Sequence, residues 1–285
     1  VQWGELIEGD LLNPADLKSA FEAVKPDAVA HFAALAYVAE SVSEPALYYR
    51  NNVLGTLNLL EAMAEAGTDK LVVSSTCAIF APTDEPLTED RATGPVNPYG
   101  ASKMMAERVI RDFGAANNIR SVCLRYFNAS GCDPEGETGE RHVPETHVIP
   151  LILRGVMEPD YTFTINGQDF ETPDGTCVRD YIHVADLADA HVKALSYLAD
   201  GGETNAFNLG TGRGTSVSEL VDAVERVSGM TIPRKYGPRR PGDPASLVAA
   251  PAKAKSVLGW TAQQSDIDYI LQTAKLWAEK EAERQ

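Results

Sequence analysis

Short apolar runs alternate with amphipathic stretches through the first half of the chain. Residues 28–34 (Ala-Val-Ala-His-Phe-Ala-Ala) follow Pro26-Asp27 and predict a buried strand. Residues 70–75 and 121–127 predict two more. Between and around them lie three predicted helices. Pro14–Val24 has proline in its first turn, residues 45–66 end at Gly67 in a C-cap position, and residues 99–116 form the third. Buried strands alternating with helices of this length predict an α/β fold with a parallel sheet covered on both faces.

The second half is less regular. Residues 132–146 are rich in Gly, Pro and acids and read as a long functional loop. Residues 178–184 predict a strand, after which Asp186 opens a helix to about Leu198. Ser216-Val-Ser-Glu219 is a capping box for a helix running to Val227. Residues from Asp266 onward predict a last, exposed helix. There is no internal repeat and no low-complexity segment.

Charge narrows the partners. The formal net charge of −16 argues against nucleic acid and anionic membrane, while leaving room for an anionic small ligand held by a local Arg cluster. No apolar run approaches the roughly 20 residues of a membrane span, and no signal peptide is visible. The four cysteines (Cys77, Cys123, Cys132, Cys177) form no Cys-x-x-Cys pair and do not cluster with His at zinc spacing. They read as reduced, buried thiols of a cytoplasmic protein, and no metal site is expected. His31, His183 and His191 lie in apolar segments and read as structural.

The candidate chemistry centres on Tyr99-Gly-Ala-Ser-Lys103. Tyr and Lys four residues apart share one helix face. An ammonium beside a phenol favours the phenolate, which is a base. The plain alternative is an exposed turn carrying both residues by chance. A dinucleotide-binding sheet normally opens with a strand, a Gly-rich turn and a helix. No Gly-x-Gly-x-x-Gly or Gly-x-x-Gly-x-x-Gly follows a strand near the start, and Gly210-Thr-Gly212-Arg-Gly214 reads as a turn.

Ten segments in order carry a resemblance. They are Gly9-Asp10, His31-Phe-Ala-Ala-Leu35, Glu40-Ser41, Tyr48-Tyr-Arg-Asn-Asn-Val53, Ser74-Ser-Thr-Cys-Ala78, Asn97-Pro-Tyr-Gly-Ala-Ser-Lys103, Leu124-Arg-Tyr-Phe-Asn128, Asp174 through Val184, Asn208-Leu-Gly-Thr-Gly212 and Pro238-Arg-Arg-Pro-Gly-Asp243. The chain resembles the extended short-chain dehydrogenase/reductases, and within them the UDP-glucose (UDP-galactose) 4-epimerases. The resemblance implies a Rossmann-like doubly wound parallel sheet lacking its first β-α-β unit, over 1–128. It implies a smaller α/β domain for the UDP-sugar over 129–285, with strands interleaving near 178–186.

In that family NAD stays bound. The resemblance makes Tyr99 the base that takes the proton from sugar O4 while C4 is oxidised to a 4-keto sugar, and the acid that returns it. Bringing a phenol from about 10 to about 7 takes roughly 4 kcal/mol. Lys103 and the nicotinamide charge would supply it, and Lys103 would also hold the nicotinamide ribose. Thr76 would bond O4. The next residues, Cys77 and Ala78, stand where related dehydratases carry an Asp-Glu pair, which disfavours dehydration. The cofactor side is expected at Asp10, Phe32, Ala33, Ala34, Asn51, Ser74 and Tyr126. Ala36 stands where relatives often carry Lys.

On the nucleotide side the resemblance assigns Arg179 and Arg240 to the diphosphate, with surface ion pairs to Asp180 or Asp243 as the plain alternative. It assigns Asn128 to the diphosphate, Asp243 to a ribose hydroxyl, His147 to a position where relatives have Asn, and Asn166 to the uridine, where relatives carry Phe. Leu247 would border the sugar 2-substituent, and a side chain smaller than tyrosine there implies tolerance of N-acetyl groups. A homodimer pairing the helices at 45–66 and 99–116 is expected. The alternatives are a UDP-GlcNAc or UDP-xylose/arabinose 4-epimerase, an oxidoreductase that releases its keto product, and an impaired UDP-sugar-binding fragment lacking the dinucleotide loop.

Overall fold

The computed structural model describes residues 4–83, 85–240 and 243–284. Pro241 and Gly242, inside the Pro238–Asp243 segment, lie outside the described residues. The chain forms two compact units. One comprises Val1–Pro82, Asp90–Arg125 and His191–Phe207; the other comprises Thr83–Glu89, Tyr126–Ala190 and Asn208–Gln285. The sequence puts the boundary at 128 with strands interleaving near 178–186; in the structure 126–190 stays in the second unit, 191–207 belongs with the N-terminal residues, and 83–89 belongs with the second unit.

A four-stranded sheet runs in the order Val29–His31, Lys70–Thr76, Arg120–Tyr126, Asn205–Leu209. The first pair is parallel, with Val29 opposite Leu71 and His31 opposite Val73. Helix Pro14–Val24 buries Leu17 and Phe21 in a cluster with Leu59, Leu60 and Met63 of helix Gly55–Ala66 and with Leu71 and Val73 of the sheet. Asn13 caps the first helix by accepting from the Ala15 N–H at 3.1 Å. Gly67 ends the second at φ 75°, in the left-handed region expected of a C-cap glycine.

The single helix expected over 45–66 is instead α from Pro45–Tyr48, π from Tyr49–Leu54 and α again from Gly55–Ala66. The wide turn carries Asn52 inside. There its amide accepts from the Leu35 N–H (2.9 Å) and donates to the Leu35 carbonyl (3.0 Å) and Ser102 Oγ (3.0 Å).

Among the described residues the second unit holds three small sheets. Phe163–Asn166 pairs in parallel with Arg234–Gly237, and Asn128–Ser130 with Tyr181–His183. Val178–Arg179 lies between Ser246–Leu247 (parallel) and Thr215–Ser216 (antiparallel). Helices Val148–Met157, Val217–Ser228 and Ile267–Glu283 bury Ile149, Ile152, Leu220, Val221, Val224, Ile270 and Leu271 in one core. The last helix is therefore not the exposed element expected: Ile270, Leu271 and Ala274 make one apolar face. Ser216 and Glu219 form the capping box as expected.

The strand expected over 178–184 is two strands, with Asp180 between them. The Asp180 N–H donates to the Leu247 carbonyl at 3.1 Å, while its own carbonyl accepts from the Asn128 N–H at 3.0 Å, so the chain changes sheets at this residue. The following helix begins at Val184, not Asp186. His183 Nδ1 accepts from the Ala185 N–H at 3.0 Å, and Asp186 instead receives the Gln263 and Gln264 N–H groups, each at 2.9 Å. All four cysteines are free and buried. Among the described residues no helix is long and apolar enough to cross a membrane.

Candidate active site

Helix Pro98–Asn117 starts at a built corner. Asn97 is extended, and its side chain accepts from the Gly100 N–H at 2.9 Å. A Cβ on Gly100 would sit 2.2 Å from the Ala78 carbonyl oxygen and 3.0 Å from Pro95 Cβ, so a side chain there would push the helix start away. This contact fixes Tyr99 next to the 77–79 turn. Tyr99 is half-buried. Its ring meets that of Tyr48 edge-on, with centroids 6.5 Å apart at 86°.

The two phenols differ. Tyr48 is fully buried, with its hydroxyl 2.7 Å from the Tyr37 carbonyl and 2.8 Å from Glu40 Oε2. Burial, then the Glu40 carboxylate, pushes its pKa well above that of an ordinary phenol. Tyr48 thus stays protonated and packs beside the candidate base.

Lys103 is 7% exposed, and its Nζ donates to the Ser74 carbonyl at 2.6 Å. Burial lowers its pKa to about 8, which leaves it charged at neutral pH. This bond anchors the ammonium on the strand end at Ser74, one turn after Tyr99 on the same helix. One turn further on, Glu107 accepts from Ser75 Oγ at 2.5 Å and is gripped by Arg125 through Nε (3.0 Å) and Nη2 (2.6 Å). The motif reading missed Glu107, although its i+4 spacing from Lys103 was visible. Thr76 is buried at the end of its strand. Its Oγ accepts from the Ala78 N–H at 3.1 Å, which leaves its O–H to donate.

The expected cofactor side falls largely on this unit. Ala33, Ala34, Ser74 and Lys103 line one small cavity with His31 and Asn52. Asn51 lies on the π turn and donates to Asn52 Oδ1 at 3.2 Å. Phe32 is 57% exposed and stacks on His191 with centroids 4.6 Å apart. Asp10 precedes the first helix, where its carboxylate accepts from the Leu12 N–H at 2.8 Å. Tyr126 is half-buried at its strand end and belongs to the second unit. His31 is buried with Nε2 3.3 Å from Thr56 Oγ1, and burial plus the Lys103 charge hold it at about 4, so it is a neutral structural histidine.

In the second unit Arg179 is buried and donates to Asp243 through Nη2 and to the Val178 carbonyl at 2.7 Å through Nη1. Its acidic partner is Asp243. Asp180, the other acid considered, is fully buried and serves the backbone: it accepts from Thr211 N–H (2.9 Å), Thr211 O–H (2.7 Å), Gly212 N–H (3.0 Å) and Ala249 N–H (3.2 Å). Burial raises its pKa, opposed by these donors. A Cβ on Gly210 would come 2.6 Å from Asp180 Oδ2, so the Gly210-Thr-Gly212 turn folds onto this carboxylate.

Leu247 pairs in register with Arg179. Asn166 ends strand Phe163–Asn166. With its amide turned so that oxygen faces the guanidinium, it accepts from Arg240 Nε and Nη2, both at 3.2 Å. Asp243 N–H donates to the Arg240 carbonyl at 3.2 Å. Arg179, Arg240, Asp243 and Asn166 are thus linked pairwise by polar contacts, with Leu247 alongside Arg179. Asn128 is half-buried beside Asp180 through the backbone. His147 is exposed ahead of helix Val148–Met157, and its Nδ1 lies 2.6 Å from Glu140 Oε1 and 3.1 Å from Glu145 Oε1. Glu140 chiefly raises its pKa.

The family model described as "NAD dependent epimerase/dehydratase family" matches residues 2–210. The chain belongs to this NAD dependent epimerase/dehydratase family. A UDP-glucose 4-epimerase of Rhizobium meliloti (strain 1021) is 49% identical over 278 residues, which cover 97% of this chain and 84% of that protein. A probable UDP-arabinose 4-epimerase of Oryza sativa subsp. japonica is 44% identical over 97% of this chain and 67% of its own length. The crystal structure of UDP-glucose 4-epimerase from Brucella ovis in complex with NAD superposes with a TM-score of 0.93 at 48% identity, covering 97% of this chain and 86% of that one. Membership in this epimerase/dehydratase family agrees with the Rossmann-like reading of the sheet, and Cys77 and Ala78 stand directly after Thr76 in the 77–79 turn.

Proposed function

We propose that this protein is an NAD-dependent UDP-glucose 4-epimerase, interconverting UDP-glucose and UDP-galactose through a 4-keto sugar. The observation that carries the reading is the Tyr99–Lys103 turn. A half-buried phenol opens the helix, and a buried, charged ammonium follows one turn later, fixed on Ser74. The UDP-glucose 4-epimerases similar to this chain over nearly its whole length support the substrate class.

The residues present fit NAD by their donor chemistry. An ammonium carries three N–H donors, and the Ser74 carbonyl takes one from Lys103. The others suit ribose hydroxyls, and Ala33 and Ala34 line the same small cavity as Lys103. Asp10, Phe32, Asn51 and Tyr126 would contribute the rest of that side. Bound NAD supplies the two-electron oxidation and reduction at C4.

Tyr99 takes the O4 proton when C4 is oxidised and returns it on reduction, so the same atom is base and acid. Thr76 donates its O–H toward O4 and orients it. Lys103 favours the phenolate electrostatically. Arg179 and Arg240 hold the diphosphate, assisted by Asn128 and by Nε2 of His147. Asp243 accepts a ribose hydroxyl, Asn166 meets the uracil, and Leu247 borders the sugar.

Proton NMR of UDP-galactose in D2O with the protein and NAD tests this reading. Oxidation and re-reduction at C4 gives UDP-glucose with C4 still carrying protium. Deuterium at C4, or no conversion, overturns it.

Leucine at 247 in register with Arg179 favours a second reading on the same chemistry, turnover of UDP-N-acetylhexosamines. No turnover of UDP-GlcNAc alongside good turnover of UDP-glucose would remove it. We also infer a homodimer through the helices at 45–66 and 98–117, on which Leu47, Leu54 and Met105 are 43%, 45% and 42% exposed. Four free buried cysteines support a reducing, cytoplasmic setting.

A further inference from the structure

The loop 132–147 contains two Glu-x-His pairs, Glu140-Arg-His142 and Glu145-Thr-His147, separated by Val143-Pro144. The fold turns the pairs toward each other. One ligand atom from each of the four side chains lies within 4.8 Å of all the others. His142 Nδ1 is 3.1 Å from Glu140 Oε1 and 3.8 Å from Glu145 Oε2, while His147 Nδ1 is 2.6 Å from Glu140 Oε1 and 3.1 Å from Glu145 Oε1. The imidazole centroids are 4.7 Å apart.

Protons serve this arrangement poorly. His147 Nδ1 carries at most one proton yet faces two carboxylate oxygens, and Glu140 Oε1 faces two imidazole nitrogens. A central dication meets all four at once. Ligands about 2.0–2.2 Å from a tetrahedral zinc are roughly 3.3–3.6 Å from one another, and the four nitrogen–oxygen separations of 2.6 to 3.8 Å bracket that range. Two carboxylates neutralise the dication. Two imidazoles distinguish the set from an all-oxygen cluster, which would suit magnesium or calcium.

The frame is held from outside the cluster. Trp277 Nε1 donates to the Glu140 carbonyl at 2.8 Å, Arg141 pairs with Glu281 at 2.6 Å, and a Cβ on Gly139 would lie 2.3 Å from the Trp277 ring. His147 leads directly into helix Val148–Met157. Each end of the ligand segment is therefore fixed to a helix.

We propose that Glu140, His142, Glu145 and His147 form a zinc site, with both histidines binding through Nδ1. Binding displaces the protons now shared between the imidazoles and carboxylates. The nucleotide contact proposed for His147 uses Nε2, so the two roles fall on different atoms, and the zinc site stands whether or not the epimerase reading does.

The test uses the full chain, free of any histidine tag and stripped with chelator, without nucleotide. Calorimetric titration with zinc is expected to give one ion per chain, and cobalt(II) the visible bands of a four-coordinate N/O site. His142→Ala, at an exposed position, and Glu140→Gln, which keeps shape, should each weaken zinc binding at least tenfold. Zinc should also raise Tm in the parent protein and not in these variants. No stoichiometric binding, or binding unchanged in both variants, overturns the proposal.

Discussion

The ammonium of Lys103 donates to the backbone carbonyl of Ser74 at 2.6 Å, joining the helix that begins with Pro98 to the end of the strand that carries Thr76. That bond holds a positive charge in a buried place, which has a measurable consequence for stability.

Burial lowers the folded pKa of Lys103 from 10.5 to about 8. Between those values the unfolded chain retains a proton that the folded one has released, so unfolding free energy rises with pH in that window. Below pH 8 the buried charge opposes folding. Lys103→Met should therefore raise stability at pH 7 by about 1–3 kcal/mol, an advantage that fades towards pH 10.5, while abolishing epimerisation. Denaturant unfolding of both proteins at pH 7 and pH 10 checks the sign. An equal difference at the two values contradicts the assignment.

Gly100→Ala places a Cβ 2.2 Å from the Ala78 carbonyl oxygen. The obstacle is backbone, so the helix start must move, carrying Tyr99 with it. A loss of about 1–3 kcal/mol is expected, together with a fall in kcat larger than the change in KM. Parent-like kcat would show that the corner does not set the position of Tyr99.

Asp180→Ala removes the acceptor of three backbone N–H groups and one hydroxyl, all in or beside the Gly210-Thr-Gly212 turn and the strand bearing Leu247. Each buried donor left unmet costs about 1–3 kcal/mol, so Tm should fall steeply. Asp180→Asn, which keeps one oxygen, should fall between the two. Thermal unfolding of the three proteins gives the order.

Arg240→Ala should raise Kd for UDP at least tenfold and KM in parallel, with kcat changed little, because the guanidinium is proposed to act on the diphosphate and not at C4. Calorimetric titration with UDP and steady-state kinetics separate the two effects.

The elements with local signals were legible. Pro14–Val24 appears with its predicted ends, and the Ser216–Glu219 capping box appears as read, because caps and 3.6-residue periodicity are local. Non-local geometry was not legible. Nothing near Asp180 announces that its two flanks join different sheets, since the partners at 128 and 247 are distant in sequence. The π turn at Tyr49–Leu54 has helical composition; what selects it is the pairing of Asn52 with Leu35 and Ser102. In the last helix charged residues outnumber the apolar stripe that the second unit buries, so its composition predicts exposure.

In the candidate site, Tyr99 and Lys103 stood out by spacing. The grip of Arg125 and Ser75 on Glu107 did not, because it depends on the sheet bringing the strands at 70–76 and 120–126 together. Likewise the two Glu-x-His pairs are four ordinary polar residues until the loop turns them inward.

The most direct test of the central claim compares Tyr99→Phe with the parent protein in two numbers, kcat for UDP-galactose conversion and Kd for UDP. Removing the phenolic oxygen should lower kcat by about 10²–10⁴-fold and leave Kd for UDP within about twofold, since the ring and its edge contact with Tyr48 are kept. An unchanged kcat in a protein that still binds UDP would contradict the assignment of Tyr99 as the group that moves the O4 proton.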